Sequence, residues 1–363
     1  SSPYASHQGE DLGVSTWKGE EWKRGGGTTW GWYSYDPKLD LFYYGTGNPG
    51  AWNPDQRPGD NKWSMTLFAR NPDTGQAKWA YQMTPHDAWD YDGINESVLI
   101  DLQTNGKAQQ VLVHFDRNGF AYVVDRTSGK VLSAKKFGHV NWAKEIDLET
   151  GLPVENPDKR TKQGINIEGI CPGSMGTKDQ QPVSYSPRTK LFYVPTNHLC
   201  MNYEGVKVRY IAGVPYVGAI VKMFPGPGGH RGEFIAWDPV AGEKKWGIKE
   251  KWSAWSGALS TGGDVVFYGT MDGWFKAIHA VTGEELWKFK TGSGIIGAPM
   301  TYIGPDGKQY VAIMSGIGGW SGLVVAGDLG TDDPTAALGA VGAFGELGKD
   351  TNKGGMLYVF ALE

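Results

Sequence analysis

Apolar positions along this chain gather in short runs that turn residues bracket. Tyr35-Asp-Pro-Lys-Leu-Asp-Leu-Phe-Tyr-Tyr-Gly-Thr-Gly-Asn48 and Tyr185-Ser-Pro-Arg-Thr-Lys-Leu-Phe-Tyr-Val-Pro-Thr-Asn-His198 share one design, a turn followed by an apolar strand. Looser copies stand at Gly263-Asp-Val-Val-Phe-Tyr-Gly-Thr270 and Gln309-Tyr-Val-Ala-Ile-Met-Ser315. Such runs predict β-strands. Helix signals are scarce: only Asp332 to Leu338, with Pro334 early in the first turn, predicts a short helix. Residues 134–182 are polar and punctuated by Pro and Gly, and predict an excursion from the strands.

A second pattern repeats without gaps. Ala69-Arg-Asn-Pro-Asp-Thr-Gly75-Gln-Ala-Lys-Trp79, Ala236-Trp-Asp-Pro-Val-Ala-Gly242-Glu-Lys-Lys-Trp246 and Ala277-Ile-His-Ala-Val-Thr-Gly283-Glu-Glu-Leu-Trp287 each set an Ala six residues before a Gly and a Trp four after it. Val123-Val-Asp-Arg-Thr-Ser-Gly129 keeps the turn and loses the Trp. The last two full copies are 41 residues apart. That period, with strand, Gly turn and returning strand, is what one blade of a β-propeller needs. The Gly supplies a turn with positive φ, and the Trp is expected to lie flat between adjacent blades.

Composition agrees with many short strands and tight turns, since Gly 54 and Trp 16 are both high for 363 residues. A net charge of −4 with no basic stripe argues against nucleic acid as the main partner. The longest uncharged run, Tyr310 to Gly327, is nearly long enough to raise a membrane span, but its five Gly and two Ser predict a buried, loop-rich segment. Ser1 opens no basic-then-apolar leader. Cys171 and Cys200 lie outside any C-x-x-C, so zinc and thioredoxin-type chemistry fit poorly, while free thiols and a disulfide both stay open.

The candidate chemistry centres on Trp89-Asp90-Tyr91-Asp92, within Thr84-Pro-His-Asp-Ala-Trp-Asp-Tyr-Asp-Gly-Ile-Asn95. If the run is extended, Asp90 and Asp92 project from one face and share a hard cation, while Tyr91 faces away. The plainer alternative is a polar loop whose Asp87, Asp90 and Asp92 cap turns or face water.

Gly25-Gly-Gly-Thr-Thr-Trp30-Gly-Trp, Gly45-Thr-Gly-Asn48-Pro, Trp89-Asp90-Tyr91-Asp92-Gly, Asp116-Arg117-Asn-Gly, Cys171-Pro-Gly-Ser-Met-Gly, Asn197-His-Leu-Cys200-Met and Gly318-Gly-Trp320 follow the order found in quinoprotein alcohol dehydrogenases. The chain resembles the large catalytic subunit of methanol dehydrogenases over essentially its whole length. The resemblance implies an all-β fold, an eight-bladed β-propeller holding pyrroloquinoline quinone (PQQ) and a metal on its axis, with residues 1–363 as one propeller domain. Trp30 then stacks under the quinone beside Thr28, and Asn48, Asp90 and Asp92 bind the metal. Asp90 is the catalytic base, and Arg117 reaches the quinone oxygens. Asp179, Trp255 and Trp320 complete the cofactor contacts, Trp52 and Leu338 form an apolar lid over the substrate, and Cys171 and Cys200 pair in a disulfide that implies an oxidising periplasm.

In that family Asp92 separates lanthanide users from calcium users, which carry a small residue there. An added carboxylate balances the added charge of a trivalent ion. Asp179, where calcium enzymes carry Asn, points the same way. The implied reaction is oxidation of methanol or another small primary alcohol: Asp90 takes the hydroxyl proton, hydride passes to the quinone, and electrons leave to a c-type cytochrome. A homodimer is implied too. A further metal-binding Glu, a ring of vicinal cysteines and a second Arg precede the matched region in the family, so the resemblance also implies an upstream segment or second chain that completes the propeller. Two other readings are a quinoprotein dehydrogenase for ethanol or larger alcohols, and a non-catalytic scaffold propeller built on the same Trp repeat.

Overall fold

The computed structural model describes residues 13–104, 107–327 and 329–361. The chain divides into two compact units, one of residues 13–180 with Cys200–Val221 and one of Gln181–Leu199 with Lys222 onward.

The first unit holds two four-stranded antiparallel meanders. One runs Tyr33–Asp36, Leu41–Gly45, Thr66–Arg70 and Ala77–Gln82; the other runs Ser97–Thr104, Lys107–Phe115, Phe120–Asp125 and Val131–Lys136. After Lys136 the chain leaves the meanders, as the polar run predicts. It makes a two-stranded ribbon, Ala143–Ile146 with Pro153–Glu155, and then Asn166–Ile170, which pairs Ile170 with Met201 and Ile167 with Tyr203. Cys171 and Cys200 are joined in a disulfide beside that pairing.

The second unit contains two more four-stranded meanders. They are Ser184–Ser186, Leu191–Asn197, Gly232–Asp238 and Glu243–Glu250, and then Leu259–Ser260, Val265–Gly269, Trp274–His279 and Glu285–Lys290. A three-stranded sheet of Met300–Ile303, Gln309–Gly316 and Gly355–Ala361 follows. Tyr193, Phe234, Val266, Tyr268 and Ile278 form an apolar core there, with the Phe234 and Tyr268 rings stacked 3.9 Å apart. Each such ring fully buried is worth about 1.5–3 kcal/mol of transfer free energy.

The repeat has a structural meaning that recurs in both units. Ala69 pairs across the ladder with Trp79, Ala236 with Trp246, and Ala277 with Trp287, and in each case the register shifts one residue later. A small residue opposite leaves room for the indole, and the bulge adds twist. The copy without Trp pairs Val123 with Ser133 and bulges at the same place. Each turn is capped from four residues before its Gly: Asn71, Asp125 and Asp238 side-chain oxygens, and His279 Nδ1, accept backbone N–H groups of the turn. Gly75, Gly129, Gly242 and Gly283 then take φ between 66° and 78°.

Two helix expectations fail. Residues 332–338 form turns rather than a helix, because Ala337, Leu338 and Gly339 all take positive φ. The helix starts after them, at Ala340–Phe344. Conversely, the run from Tyr310 to Gly327 is not loop-rich: it finishes the strand Gln309–Gly316 and then forms the α-helix Gly319–Ala326, which buries Ser321, Gly322, Val324 and Val325. Burial overrides the weak helix propensity of Gly and Val there. Among the described residues, no helix is long and apolar enough to cross a membrane.

Candidate active site

Asp90 and Asp92 converge, though not on an extended strand. Asp90 takes a left-handed conformation, φ 66°. Asp87 imposes it: its carboxylate oxygens accept the backbone N–H groups of Trp89 and Asp90 at 3.1 Å and of Tyr91 at 3.3–3.4 Å. A short Asx cap of this kind is a standard way to hold a non-Gly residue at positive φ. The plain polar-loop reading therefore holds for Asp87 and fails for its neighbours, since Asp90 and Asp92 are only 7% and 6% exposed. Tyr91 faces away as expected: its ring stacks on Trp89, and its hydroxyl donates to the Pro172 carbonyl at 2.7 Å.

Arg117 is the hub. Its guanidinium touches Asp92 Oδ2, lies 4.0 Å from Asp90 Oδ2 and 3.5 Å from Asp179 Oδ2. The turn Asp116–Gly119 presents it, with Asp116 Oδ2 accepting the Asn118 N–H and the Arg117 carbonyl accepting the Thr177 N–H at 3.0 Å. Gly176 must be glycine for this approach: φ is 70°, and a Cβ there would lie 2.5 Å from Arg117 Cα. Burial opposes the Arg117 charge, but Asp179, Asp92 and Asp90 hold its pKa above the ordinary value.

Asn48 approaches from the segment that follows the strand Leu41–Gly45. The Asn48 backbone N–H donates to Asp92 Oδ1 at 2.6 Å. Gly47 leaves space for that carboxylate, because a Cβ would meet Asp92 Oδ1 at 2.4 Å. Trp30 is 45% exposed. Thr28, also exposed, accepts the Gly47 N–H on its carbonyl at 2.9 Å. Trp52 is half-buried, and its backbone N–H donates to the Val217 carbonyl.

The electrostatics call for a cation. Three carboxylates, Asp90, Asp92 and Asp179, face one guanidinium, so with all three ionised the buried cluster would carry an excess of negative charge. Burial pushes the Asp90 carboxyl well above its usual range, and Asp92 pushes it further. Burial raises Asp92 as well, against the pull of Arg117 and the Asn48 N–H. Hard carboxylate oxygens are the donors a hard metal ion takes, while the Asn48 side-chain amide here donates to the Pro49 carbonyl at 3.4 Å. A cation among them would return both carboxyls to the ionised form.

Among the described residues, the side chains whose ligand atoms lie within 4.8 Å of one another are His139, Cys171 and Cys200, rather than the three carboxylates, which Arg117 spreads apart. Both sulfurs there are spent in the disulfide.

Residues 5–136 and 232–311 match the family described as "PQQ: Glucose/ethanol/alcohol dehydrogenase, beta-propeller domain". The chain belongs to this family. It is 61% identical over 366 residues to the lanthanide-dependent methanol dehydrogenase of Methylacidiphilum fumariolicum (strain SolV), a match covering 99% of this chain and 60% of that protein. It is 58% identical to the protein of the same name from Methylorubrum extorquens, covering 98% of this chain and 60% of that one. A solved structure described as a europium-containing methanol dehydrogenase superposes with a TM-score of 0.95 at 61% identity, over 98% of this chain and 63% of that chain. The chain thus spans about 60% of the length of these relatives.

The quinoprotein family's remaining sequence-expected residues lie in the second unit. Trp255 is buried, stacks 5.5 Å from Phe344, and has an indole N–H with no hydrogen-bond partner among the described residues. Trp320 is the second residue of the helix Gly319–Ala326, and Leu338 sits in the positive-φ turn before Ala340–Phe344. Sequence reasoning gave Asp87 no role in the site. Its signal was the Asx-turn spacing, an Asp two to four residues before the N–H groups it caps.

Proposed function

We propose that this chain is the larger part of a periplasmic, PQQ-dependent dehydrogenase that oxidises methanol and other small primary alcohols with a lanthanide at its metal site. The observation that carries the reading is the buried Asp90–Asp92 pair facing Arg117 beside an exposed Trp30 indole. A non-catalytic scaffold has no use for an excess of buried carboxylates, which costs folding free energy without a bound cation.

When bound, PQQ accepts the electrons of the alcohol and the cation acts as a Lewis acid. By the resemblance, Asn48, Asp90 and Asp92 would hold the cation, Trp30 with Thr28 would hold the quinone, and Arg117 would supply hydrogen-bond donors to it. Asp179, Trp255 and Trp320 are assigned to the cofactor by the resemblance, and Trp52 and Leu338 to the cover over the substrate. Asp90 takes the hydroxyl proton of the alcohol, and for this its carboxyl must be ionised. Asp87 aims that carboxylate, and the buried setting keeps competing water away.

The same reading makes residues 1–363 part of one eight-bladed propeller completed by an upstream segment or a second chain. It takes a c-type cytochrome as electron acceptor and a second copy as partner. The metal preference of Asp92→Ala tests it: the variant is expected to lose lanthanide affinity and shift toward calcium. Unchanged lanthanide binding would remove Asp92 from the metal site.

A further inference from the structure

Arg57 is 1% exposed, and among the described residues its guanidinium touches no carboxylate directly. Burial pulls its pKa down to about 10, so it stays charged at neutral pH. A buried cation that is not ion-paired is costly unless its donors are all used. Here they are spent on backbone carbonyls from two loops. Nε donates to the Ala51 carbonyl, and Nη2 donates to the Trp52 carbonyl at 3.4 Å and to the Asp87 carbonyl. Nη1 donates to Asn61 Oδ1 at 2.7 Å, and Asn61 Nδ2 returns a bond to the Arg57 carbonyl at 2.8 Å. Tyr203, fully buried, donates from its hydroxyl to the Trp52 carbonyl at 3.1 Å.

The three carbonyls belong to two segments with different duties. Ala51 and Trp52 precede the turn Pro54–Gln56, whereas Asp87 is the cap that fixes Asp90 at positive φ. One planar fork spans both, which a lysine ammonium cannot do.

We propose that Arg57, braced by Asn61, is a positioning residue that ties the Trp52 loop to the Asp87–Asp90 turn, so that the substrate cover and the base are placed together. The inference rests on the reading of Asp90 as base and Trp52 as cover. It makes selectivity for alcohol size and the aim of the base two consequences of one clamp.

The test uses the full-length protein loaded with quinone and metal. Arg57→Lys is expected to raise backbone hydrogen exchange in peptides covering 50–58 and 84–92 together, and in no other region. It should also lower kcat/KM for methanol by roughly tenfold or more, the scale of a small misplacement, and move the methanol-to-butanol ratio toward butanol. Asn61→Ala removes one brace and should do the same in smaller measure, which keeps the test available where Arg57→Lys does not fold. Loosening of only one segment, or unchanged exchange and selectivity, would overturn the proposal. So would a rise in exchange throughout the chain in both variants. If the unsubstituted protein oxidises no alcohol, the functional reading fails by itself, while paired exchange at the two segments still reports on the clamp.

Discussion

The indole of Trp79 rests on Gly129, the turn glycine of the next sheet: a Cβ on Gly129 would lie 2.7 Å from Trp79 Cδ2. Trp246 stands in the same relation to Gly283, where the distance would be 2.8 Å. Trp79 Nε1 donates to the Arg126 carbonyl and Trp246 Nε1 to the Ala280 carbonyl, both at 3.1 Å. The repeat is thus a docking device, in which one sheet's Trp seats on its neighbour's turn.

Gly129→Ala should therefore cost more than its backbone alone explains. The positive φ costs an Ala about 1–2 kcal/mol, and the clash with the ring adds about 1–3 kcal/mol more. Gly75 shares the φ but has nothing within 4 Å. Gly75→Ala should show only the smaller part. Denaturant unfolding of the two variants separates the terms, and equal losses would refute the docking account.

The disulfide closes a loop of 29 residues. Chain entropy assigns such a loop about 3.5 kcal/mol. Replacing Cys171 and Cys200 by Ser together should lower the unfolding free energy by that order. A loss near zero would show that the disulfide does not constrain the unfolded chain as this account supposes.

His86 should remain neutral well below the usual histidine range. Burial lowers its pKa to about 4. Nε2 faces the Pro54 carbonyl, while Nδ1 faces Arg160 Nη2 at 2.6 Å and so must accept. Because the folded pKa lies below the unfolded one, the unfolded chain binds more protons between pH 4 and 6.5. The contribution is complete above that window and is lost as pH falls through it. His86→Gln should flatten the fall in melting temperature on going from pH 7 to pH 5. An imidazole signal titrating near pH 6.5 would contradict this.

The strands, the capped turns and the Trp repeat were legible because they are local: period-two alternation and a fixed Gly-to-Trp spacing survive any tertiary context. The site was legible only in part. Asp90, Asp92 and Arg117 could be named from motif order, and the fold brings them together. Their mode of convergence was not readable, because Asp90 owes its left-handed backbone to Asp87 rather than to strand geometry. Arg57 was silent for a similar reason: nothing in Gln56-Arg57-Pro58 distinguishes a buried fork from a surface one. The helix at Gly319–Ala326 went unseen because its Gly and Val are poor helix formers, held there by burial.

Asp90→Asn keeps the size of the side chain and removes the proposed proton acceptor. In the loaded enzyme it should lower kcat by about a thousandfold, within the usual span for a general base, while quinone content stays at the unsubstituted level. Activity within a few-fold of the unsubstituted enzyme would assign the base elsewhere.

We propose that the buried carboxylates of Asp90 and Asp92 hold a metal ion beside a quinone. The most direct measurement is the metal and quinone content of the full-length protein as its host makes it, read with methanol-dependent dye reduction before and after chelation. Lanthanide and PQQ are expected in equal amount to the protein, with activity lost on chelation and restored by lanthanide more readily than by calcium. Full-length protein that carries neither group, and reduces no dye when supplied with both, would contradict it.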